Sequence, residues 1–208
     1  MRMRWVFAHY IGLMAVAFVL AACAGRGPTR EVVPPIAAGG VTNAPPRPVL
    51  AYDPDTGTLL KADSAGLSRW DPKEGWAALL LPEATPLTGL VVVPERVGTL
   101  YISGPGLGVL RSNDGWSVWN EVNAGLPDLG VTALALHSYL PDTLFAWVEG
   151  AGIYRTEDGG KRWTQMPDPG PPDREVHALA HSTLPGSMNT GWLYASTPSG
   201  AYLSMDCF

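Results

Sequence analysis

A short segment at residues 155–163 limits the folds open to this chain, because it encodes a tight turn that carries its own hydrogen-bond acceptor. It reads Arg-Thr-Glu-Asp-Gly-Gly-Lys-Arg-Trp. An aspartate at position 158 accepts backbone N–H groups of its own loop, and the glycine pair that follows supplies positive φ angles. Trp163 is then predicted to fold back over the turn as a large apolar side chain. The segment is therefore predicted to join two short strands.

The same segment recurs elsewhere in the chain. Residues 111–119 repeat it with an Asp-to-Asp spacing of 158 − 114 = 44, although Trp116 stands where the second glycine is expected. A third copy begins at residues 203–206, at a spacing of 206 − 158 = 48, and has no Gly or Trp after it. We expect the hydrogen-bonded turn at 111–119 to be looser than the one at 155–163.

The apolar runs between these segments repeat with them. Residues 134–136 match 90–92 at a spacing of 44, and residues 152–155 match 108–111 at the same spacing. A period of about 40 to 50 residues, built from short apolar runs separated by turn residues, is typical of β-propeller blades, each a four-stranded antiparallel sheet. The predicted fold class is therefore all-β, a propeller.

The pattern Ser/Thr-x-Asp-Gly-Gly-x-x-Trp resembles the Asp-box of the BNR-repeat β-propellers, a family that includes sialidases, sortilin-type receptors and photosystem assembly factors. The resemblance implies that the motif residues stabilise peripheral loops and are not catalytic. In this chain they are Ser112, Asp114, Gly115, Trp119, Thr156, Asp158, Gly159, Gly160, Trp163, Ser204 and Asp206.

Residues 49–208 divide into predicted blades at 49–82, 87–122, 131–166 and 176–208. Strands in the first blade are predicted at 49–52, 58–61 and 76–81, with Asp63, Gly66 and Trp70 near the Asp-box positions but off register. The total is about fourteen strands, or about three and a half blades. Three outcomes stay open: a small propeller whose terminal strands share a blade, a fragment of a longer propeller, or a gap that a partner covers.

The N-terminal residues predict secretion and lipidation. Arg2 and Arg4 precede an apolar run, as in a signal peptide, and the run is shorter than the roughly 20 residues of a transmembrane helix, which is the alternative. Residues 20–23, Leu-Ala-Ala-Cys, resemble the bacterial lipobox. The resemblance implies that residues 1–22 are removed and that Cys23 carries lipid. Residues 23–48, rich in Pro, Ala and Gly, are predicted to be an extended tether.

The net charge of the chain disfavours one class of partner. Without Arg2 and Arg4 the chain has 12 basic against 19 acidic residues, a net charge of −7, which disfavours nucleic-acid binding.

If Cys23 is lipidated, Cys207 has no partner within the chain. We interpret it as a buried free thiol, with intermolecular pairing as the alternative.

No set of acid, base and nucleophile is recognisable, so no catalytic residue is assigned. Asp71, Glu74 and Glu149 are the carboxylates left for a glycosidase-type mechanism. No cofactor is predicted. His177 and His181 are spaced as metal ligands on a helix, but this segment reads as a strand. His181 also begins a His-Ser-x-Leu-Pro string that repeats the one at residues 137–141, which indicates a structural turn.

The sequence thus predicts a non-enzymatic, lipid-anchored, extracytoplasmic propeller that binds a protein partner or supports a membrane complex. The alternative is a glycan-binding propeller, or a fragment of a sialidase-like or glycoside-hydrolase-like enzyme. The predicted location is the outer face of the plasma membrane or, in a two-membrane bacterium, the outer membrane, because Ala24 follows the cysteine in place of an aspartate.

Cys23→Ser tests the predicted anchor. A serine offers no thiol for diacylation, so the variant is expected to stay an unprocessed precursor and to incorporate no labelled fatty acid. Cys207→Ser is the matched control and is expected to label like the wild type. Equal labelling of Cys23→Ser and wild type would contradict the lipobox interpretation.

Overall fold

A computed structural model describes residues 47–83, 85–168, 170–182 and 191–204, together with the backbone of residues 5–7. Within these ranges the chain forms strands and turns only, and no helix there has the length and apolar character needed to cross a membrane. Cys23, Asp206 and Cys207 lie outside the described residues, as does most of the predicted signal and tether.

The described strands form four antiparallel sheets of four strands each, which we call blades 1 to 4. Blade 1 contains β2 (Val49–Asp53), β3 (Thr58–Asp63), β4 (Gly66–Asp71) and β5 (Gly75–Ala78). Blade 2 contains β6 (Gly89–Val92), β7 (Leu100–Gly104), β8 (Gly108–Ser112) and β9 (Asn120–Glu121). Blade 3 contains β10 (Val131–Leu136), β11 (Leu144–Val148), β12 (Gly152–Thr156) and β13 (Thr164–Gln165). Blade 4 contains β14 (Ala178–Ser182), β15 (Trp192–Thr197), β16 (Gly200–Ser204) and β1 (Trp5–Phe7).

The blades are arranged as an open β-propeller. Their innermost strands are neighbours in the order β2, β6, β10 and β14. Among the described strands, β14 does not lie beside β2, so the ring is not closed. The predicted all-β propeller of four-stranded antiparallel blades, incomplete or small, is confirmed.

Two details of the strand assignment differ from the prediction. Blade 1 has four strands, because Gly66 and Trp70 lie in β4 and are not remnants of an Asp-box turn. The carboxylates of Asp63 and Asp71 instead accept backbone N–H groups in the turns before and after β4. Blade 4 gains β1, which lies within the predicted signal and pairs with β16 in the register Trp5 to Ser204. A chain processed before Cys23, as the lipobox resemblance implies, would lose β1 and keep β14, β15 and β16 in blade 4.

Each blade has two faces, which we name by their neighbours: the rear face meets the preceding blade and the forward face meets the following blade. Three apolar cores fill the three boundaries of the arc. Blades 1 and 2 pack through residues that include Leu60, Leu67, Leu90, Ile102 and Leu110. Blades 2 and 3 pack through residues that include Val91, Tyr101, Val109, Leu134 and Ala146. Blades 3 and 4 pack through residues that include Ala135, Phe145, Trp147, Leu179 and Leu193.

Two histidines tie blade 3 to blade 4. The rings of His137 and His181 stack with centroids 4.0 Å apart, and the buried His137 ring also stacks on Phe145. Nδ1 of His137 accepts the backbone N–H groups of Tyr139 and Leu140 at 3.1 and 3.2 Å, which requires an unprotonated Nδ1. Burial, together with His181 and Arg155, lowers the pKa of His137 to about 4. His137 is therefore neutral in the folded chain near pH 7.

The predicted Asp-box at 156–163 forms the turn from β12 to β13. The Thr156 hydroxyl donates to Asp158 Oδ1 at 2.7 Å and accepts the Gly160 N–H at 3.0 Å, while Asp158 Oδ1 also accepts the Arg162 N–H at 2.9 Å. These donors, the Arg162 N–H first and the Thr156 hydroxyl next, hold the pKa of Asp158 below its usual range. Trp163 is buried, and its Nε1–H donates to the carbonyl of Val122.

This turn also joins blade 3 to blade 2. The Tyr101 hydroxyl donates to the carbonyl of Gly159 at 3.0 Å, and the Gly159 N–H donates to the carbonyl of Asp142 at 2.9 Å. The Asp142 carboxylate in turn forms a bidentate pair with the Arg96 guanidinium of blade 2. Loss of this turn would therefore loosen a blade boundary as well as a loop.

The predicted Asp-box at 112–119 closes the turn after β8 with a related set of bonds. Asp114 Oδ1 accepts the Ser112 hydroxyl at 2.9 Å and the Val118 N–H at 3.0 Å. Trp116, in the position of the second glycine, has a φ of 73°, a left-handed conformation that costs a bulky residue energy. Trp119 is only half-buried. This turn is therefore strained and less deeply packed than the turn at 156–163.

Asp158→Ala is expected to lower the melting temperature more than Asp114→Ala. Both changes remove the carboxylate that accepts backbone N–H groups within the turn. The Asp158 turn holds a fully buried Trp and is hydrogen-bonded to the preceding blade, whereas the Asp114 turn holds a half-buried Trp. Thermal melts of the two variants decide the order, with Glu157→Ala and Asn113→Ala as controls at the preceding exposed positions. A larger loss for Asp114→Ala would contradict this ranking.

The stability of the fold is expected to fall as the pH drops from about 6.5 to about 4. Below pH 6.5 an unfolded chain protonates His137, whereas the folded chain keeps it neutral down to about 4. The free energy of unfolding should therefore fall by about 2 to 3 kcal/mol across this window. Urea denaturation at a series of pH values measures the slope.

His137→Asn is the matched control, because the Asn side-chain oxygen takes the place of Nδ1 as an acceptor and does not titrate. The variant is expected to lose most of the slope between pH 6.5 and 4 while it keeps the hydrogen bonds from Tyr139 and Leu140. An unchanged slope would show that other groups cause the pH dependence.

Candidate interaction surface on the first blade

The rear face of blade 1 is not covered by any described blade, and large apolar side chains lie on it. Leu50 and Tyr52 of β2 are 58% and 61% exposed, and Trp70 of β4 and Trp76 of β5 are 45% and 38% exposed. Monomeric proteins seldom expose contiguous apolar patches of this kind unless they bind something. We call this surface the blade 1 rear face.

Strand alternation explains why these residues share one side. Leu50 pairs with Lys61, Tyr52 with Leu59, and Trp70 with Trp76, so all six side chains point to the same face. The residues between them point to the forward face, where Leu60, Ala62 and Leu67 are buried against blade 2. Blade 1 is thus apolar on both faces, although only one of them has a described neighbour.

The rings and charges of this face are arranged in one cluster. Trp70 and Trp76 meet edge to face, with ring centroids 5.4 Å apart and planes at 68°. The Lys61 ammonium lies 5.2 Å from the Trp76 ring and 2.7 Å from an oxygen of Asp63. The hydrogen bond from Lys61 holds the pKa of Asp63 below its usual range. The positive charge on this face is therefore balanced by a neighbouring carboxylate.

The forward face of blade 4 is the other face of the arc with no described blade against it. It carries Ala178 and Ala180 on β14, Tyr194 on β15 and Leu203 on β16. The two alanines are exposed, and Tyr194 and Leu203 are half-buried. This face is apolar but lined by smaller side chains than the blade 1 rear face.

The predicted Asp-box residues do not contribute to either open face. Those in blades 2 and 3 lie in the turns after β8 and β12, as described above. Ser204 ends β16 and is fully buried, and its hydroxyl finds no hydrogen-bond partner in the described part of the chain. Asp206 and the predicted lipidation site Cys23 lie outside the described residues.

The carboxylates considered for glycosidase chemistry lie in two blades, Asp71 and Glu74 in blade 1 and Glu149 in blade 3. Asp71 Oδ1 accepts the N–H groups of Lys73 and Glu74 and so closes the turn after β4. Glu149 lies in the turn after β11, in another blade. His177 pairs with Glu175 at 2.9 Å. In the described ranges no three His, Cys, Asp or Glu side chains are grouped as a metal site.

Residues 49–81 do not by themselves mark Tyr52, Trp70 and Trp76 as members of one exposed face. A signal for them was present, because residues 49–53 alternate in size and Trp70 and Trp76 flank a turn closed by Asp71. The alternation predicts two faces, but it does not say which face a neighbouring blade covers. Only the order of the blades in space shows that the face with Tyr52 is open.

Comparisons with known proteins identify the fold. No protein-family model matches the sequence, and no curated protein matches it. Among solved structures, the GH74 xyloglucanase of Xanthomonas campestris superposes with a TM-score of 0.57 at 19% identity, over 76% of this chain and 29% of that one. YCF48 from Cyanidioschyzon merolae superposes with a TM-score of 0.56 at 15% identity, over 75% of this chain and 49% of that one.

A chain in the crystal structure of the mitotic checkpoint complex is also similar, with a TM-score of 0.57 at 12% identity, over 76% of this chain and 50% of that one. The present chain therefore spans less than a third of the xyloglucanase and about half of the other two. At such identities the similarity concerns the fold alone. The chain has the fold of a β-propeller.

Proposed function

We propose that this chain is a non-enzymatic, lipid-anchored, extracytoplasmic β-propeller that binds a protein partner through the blade 1 rear face. The observation that carries the proposal is the contiguous exposure of Leu50, Tyr52, Trp70 and Trp76 on one side of one sheet. The Asp-box turns serve as loop supports in this proposal and take no part in binding.

The composition of the face suits a protein interface. Tyr and Trp are enriched among the residues that dominate binding energy, because they bury a large area with few rotatable bonds. Three of the four exposed side chains are aromatic. The Lys61–Asp63 pair lies beside them as the polar margin of the patch. A rigid four-stranded sheet supports the cluster, so little order is lost on binding.

Two further observations support the wider proposal. One structural neighbour is a chain of a multi-protein assembly, the mitotic checkpoint complex. The Leu-Ala-Ala-Cys sequence at residues 20–23 supports a lipid anchor, which would hold the propeller at a membrane surface where a membrane complex is within reach. The absence of a recognisable catalytic set in the sequence favours binding over hydrolysis.

The proposal is tested by purifying tagged chain from detergent-solubilised membranes and identifying what is recovered with it in stoichiometric amounts. Tyr52→Ser and Trp70→Ser each remove an exposed ring from the face and are expected to reduce recovery of the partner at least about tenfold. Val97→Ser and Val118→Ser are the matched controls, because these valines are exposed in turns of blade 2. They are expected to leave recovery unchanged.

Equal recovery with all four variants would contradict the assignment to the blade 1 rear face. Binding to a glycan array that is lost in Tyr52→Ser and Trp70→Ser, without any recovered protein, would favour the glycan-binding alternative. Thermal melts of the variants establish that each is folded, which is expected because all four residues are exposed.

A further inference from the structure

We propose that the protein covering the blade 1 rear face is a second copy of this chain. In this arrangement the rear face of blade 1 in one copy packs on the forward face of blade 4 in the other, and the same contact forms again on the opposite side. This inference rests on the proposed function, because it names the partner of the same surface.

The first support is a leucine that recurs at one position of the innermost strand in every described blade. Its four members are Leu50, Leu90, Leu134 and Leu179. Each points to the rear face of its blade. Leu90, Leu134 and Leu179 are buried in the cores between blades, whereas Leu50 is 58% exposed. Leu50 thus has the position of the leucines that are buried between blades, but no described blade packs on it.

The second support is the set of small residues that face these leucines. On the forward faces, the innermost strands carry Gly89 and Val91 in blade 2, and Ala133 and Ala135 in blade 3. A Cβ atom added to Gly89 would lie 3.2 Å from Cβ of Leu134, which shows that the leucine sits directly on the small residue. In blades 2 and 3 the innermost strand thus offers a glycine or alanines to the leucine of the following blade.

The forward face of blade 4 continues this pattern without a described neighbour. Ala178 and Ala180 occupy the positions of Ala133 and Ala135, one residue before and one after the boundary leucine. Both alanines are exposed. The chain thus exposes one face that carries a leucine, on blade 1, and one face that carries alanines, on blade 4. Within the chain, two faces of these kinds pack on each other at the boundary between blades 3 and 4.

The geometry favours a second copy over an unrelated protein. A contact between two different faces is heterologous, and it closes into a ring only when the rotation per subunit divides a full turn. Two arcs of four blades make eight, which lies within the usual range of four to eight blades for closed propellers. On the blade 1 rear face Lys61 is paired with Asp63, so the net charge of −5 of the 208 residues is not concentrated on that face.

The test is the mass of the full chain in a mild detergent, by native mass spectrometry and by light scattering after size exclusion. A dimer is expected for the wild type. Leu50→Glu on the rear face and Ala180→Lys on the forward face each alter both contacts of the dimer, so each is expected to raise the dissociation constant at least about 100-fold. Val97→Glu is the matched control, because Val97 is exposed in a turn of blade 2, and it is expected to remain dimeric.

Mixing the two variants distinguishes a head-to-tail ring from any other dimer. A copy with Leu50→Glu keeps a normal blade 4, and a copy with Ala180→Lys keeps a normal blade 1. The mixture therefore contains one unaltered contact and one contact that pairs Glu with Lys. A mixed dimer is expected to form although neither variant dimerises alone.

A monomeric wild type, a dimer unaffected by Leu50→Glu, a ladder of larger oligomers, or failure of the mixture to dimerise would each overturn the inference. A monomer that still recovers a different protein in a Tyr52-dependent manner would overturn it while leaving the proposed function in place. Dimerisation without recovery of any other protein would support it.

Discussion

Packing of a leucine on small residues, repeated from blade to blade, holds the arc together. Leu90, Leu134 and Leu179 are each buried in a boundary core, and Gly89 leaves room for Leu134. A fully buried leucine stabilises a fold by about 1.5 to 3 kcal/mol, so the three boundaries supply much of the cohesion between sheets that share no backbone hydrogen bonds in their ladders. The rest of the structure keeps this contact in register.

Polar contacts made by the turns also join neighbouring blades. In blade 3 the Thr156–Asp158 turn gives the carbonyl of Gly159 to the Tyr101 hydroxyl of blade 2, and the Arg96–Asp142 pair spans the same boundary. Between blades 3 and 4 the stacked His137 and His181 rings have the corresponding role. Apolar cores have no directional preference of their own. These polar contacts and stacked rings therefore add direction to the packing of neighbouring blades.

An arc built in this way retains its packing pattern at both ends. The end blades are made from the same repeat as the internal ones. Leu50 therefore occupies the position at which Leu134 packs on a small residue. Ala178 likewise occupies the position of Ala133, which lies beside a leucine of the next blade. Aromatic residues extend the exposed face of blade 1 toward β5, where Trp70 meets Trp76 edge to face. This is the part of the molecule that sets it apart from a plain section of propeller.

The local sequence was sufficient for the all-β class and for a propeller of four-stranded antiparallel blades, because strand alternation and turn chemistry are encoded within a few neighbouring residues. Thr156, Asp158 and Gly159 predict their turn without reference to the rest of the chain. The fourth strand of blade 1 was not recognised, since β4 contains Arg69 and Ser68 among its apolar residues and carries no Asp-box after it. The pairing of β1 with β16 joins residues at opposite ends of the sequence, and no local pattern encodes it. The exposure of Leu50 and Tyr52 was likewise decided in three dimensions, because alternation gives a strand two apolar faces but the order of blades in space determines which of them meets a neighbour.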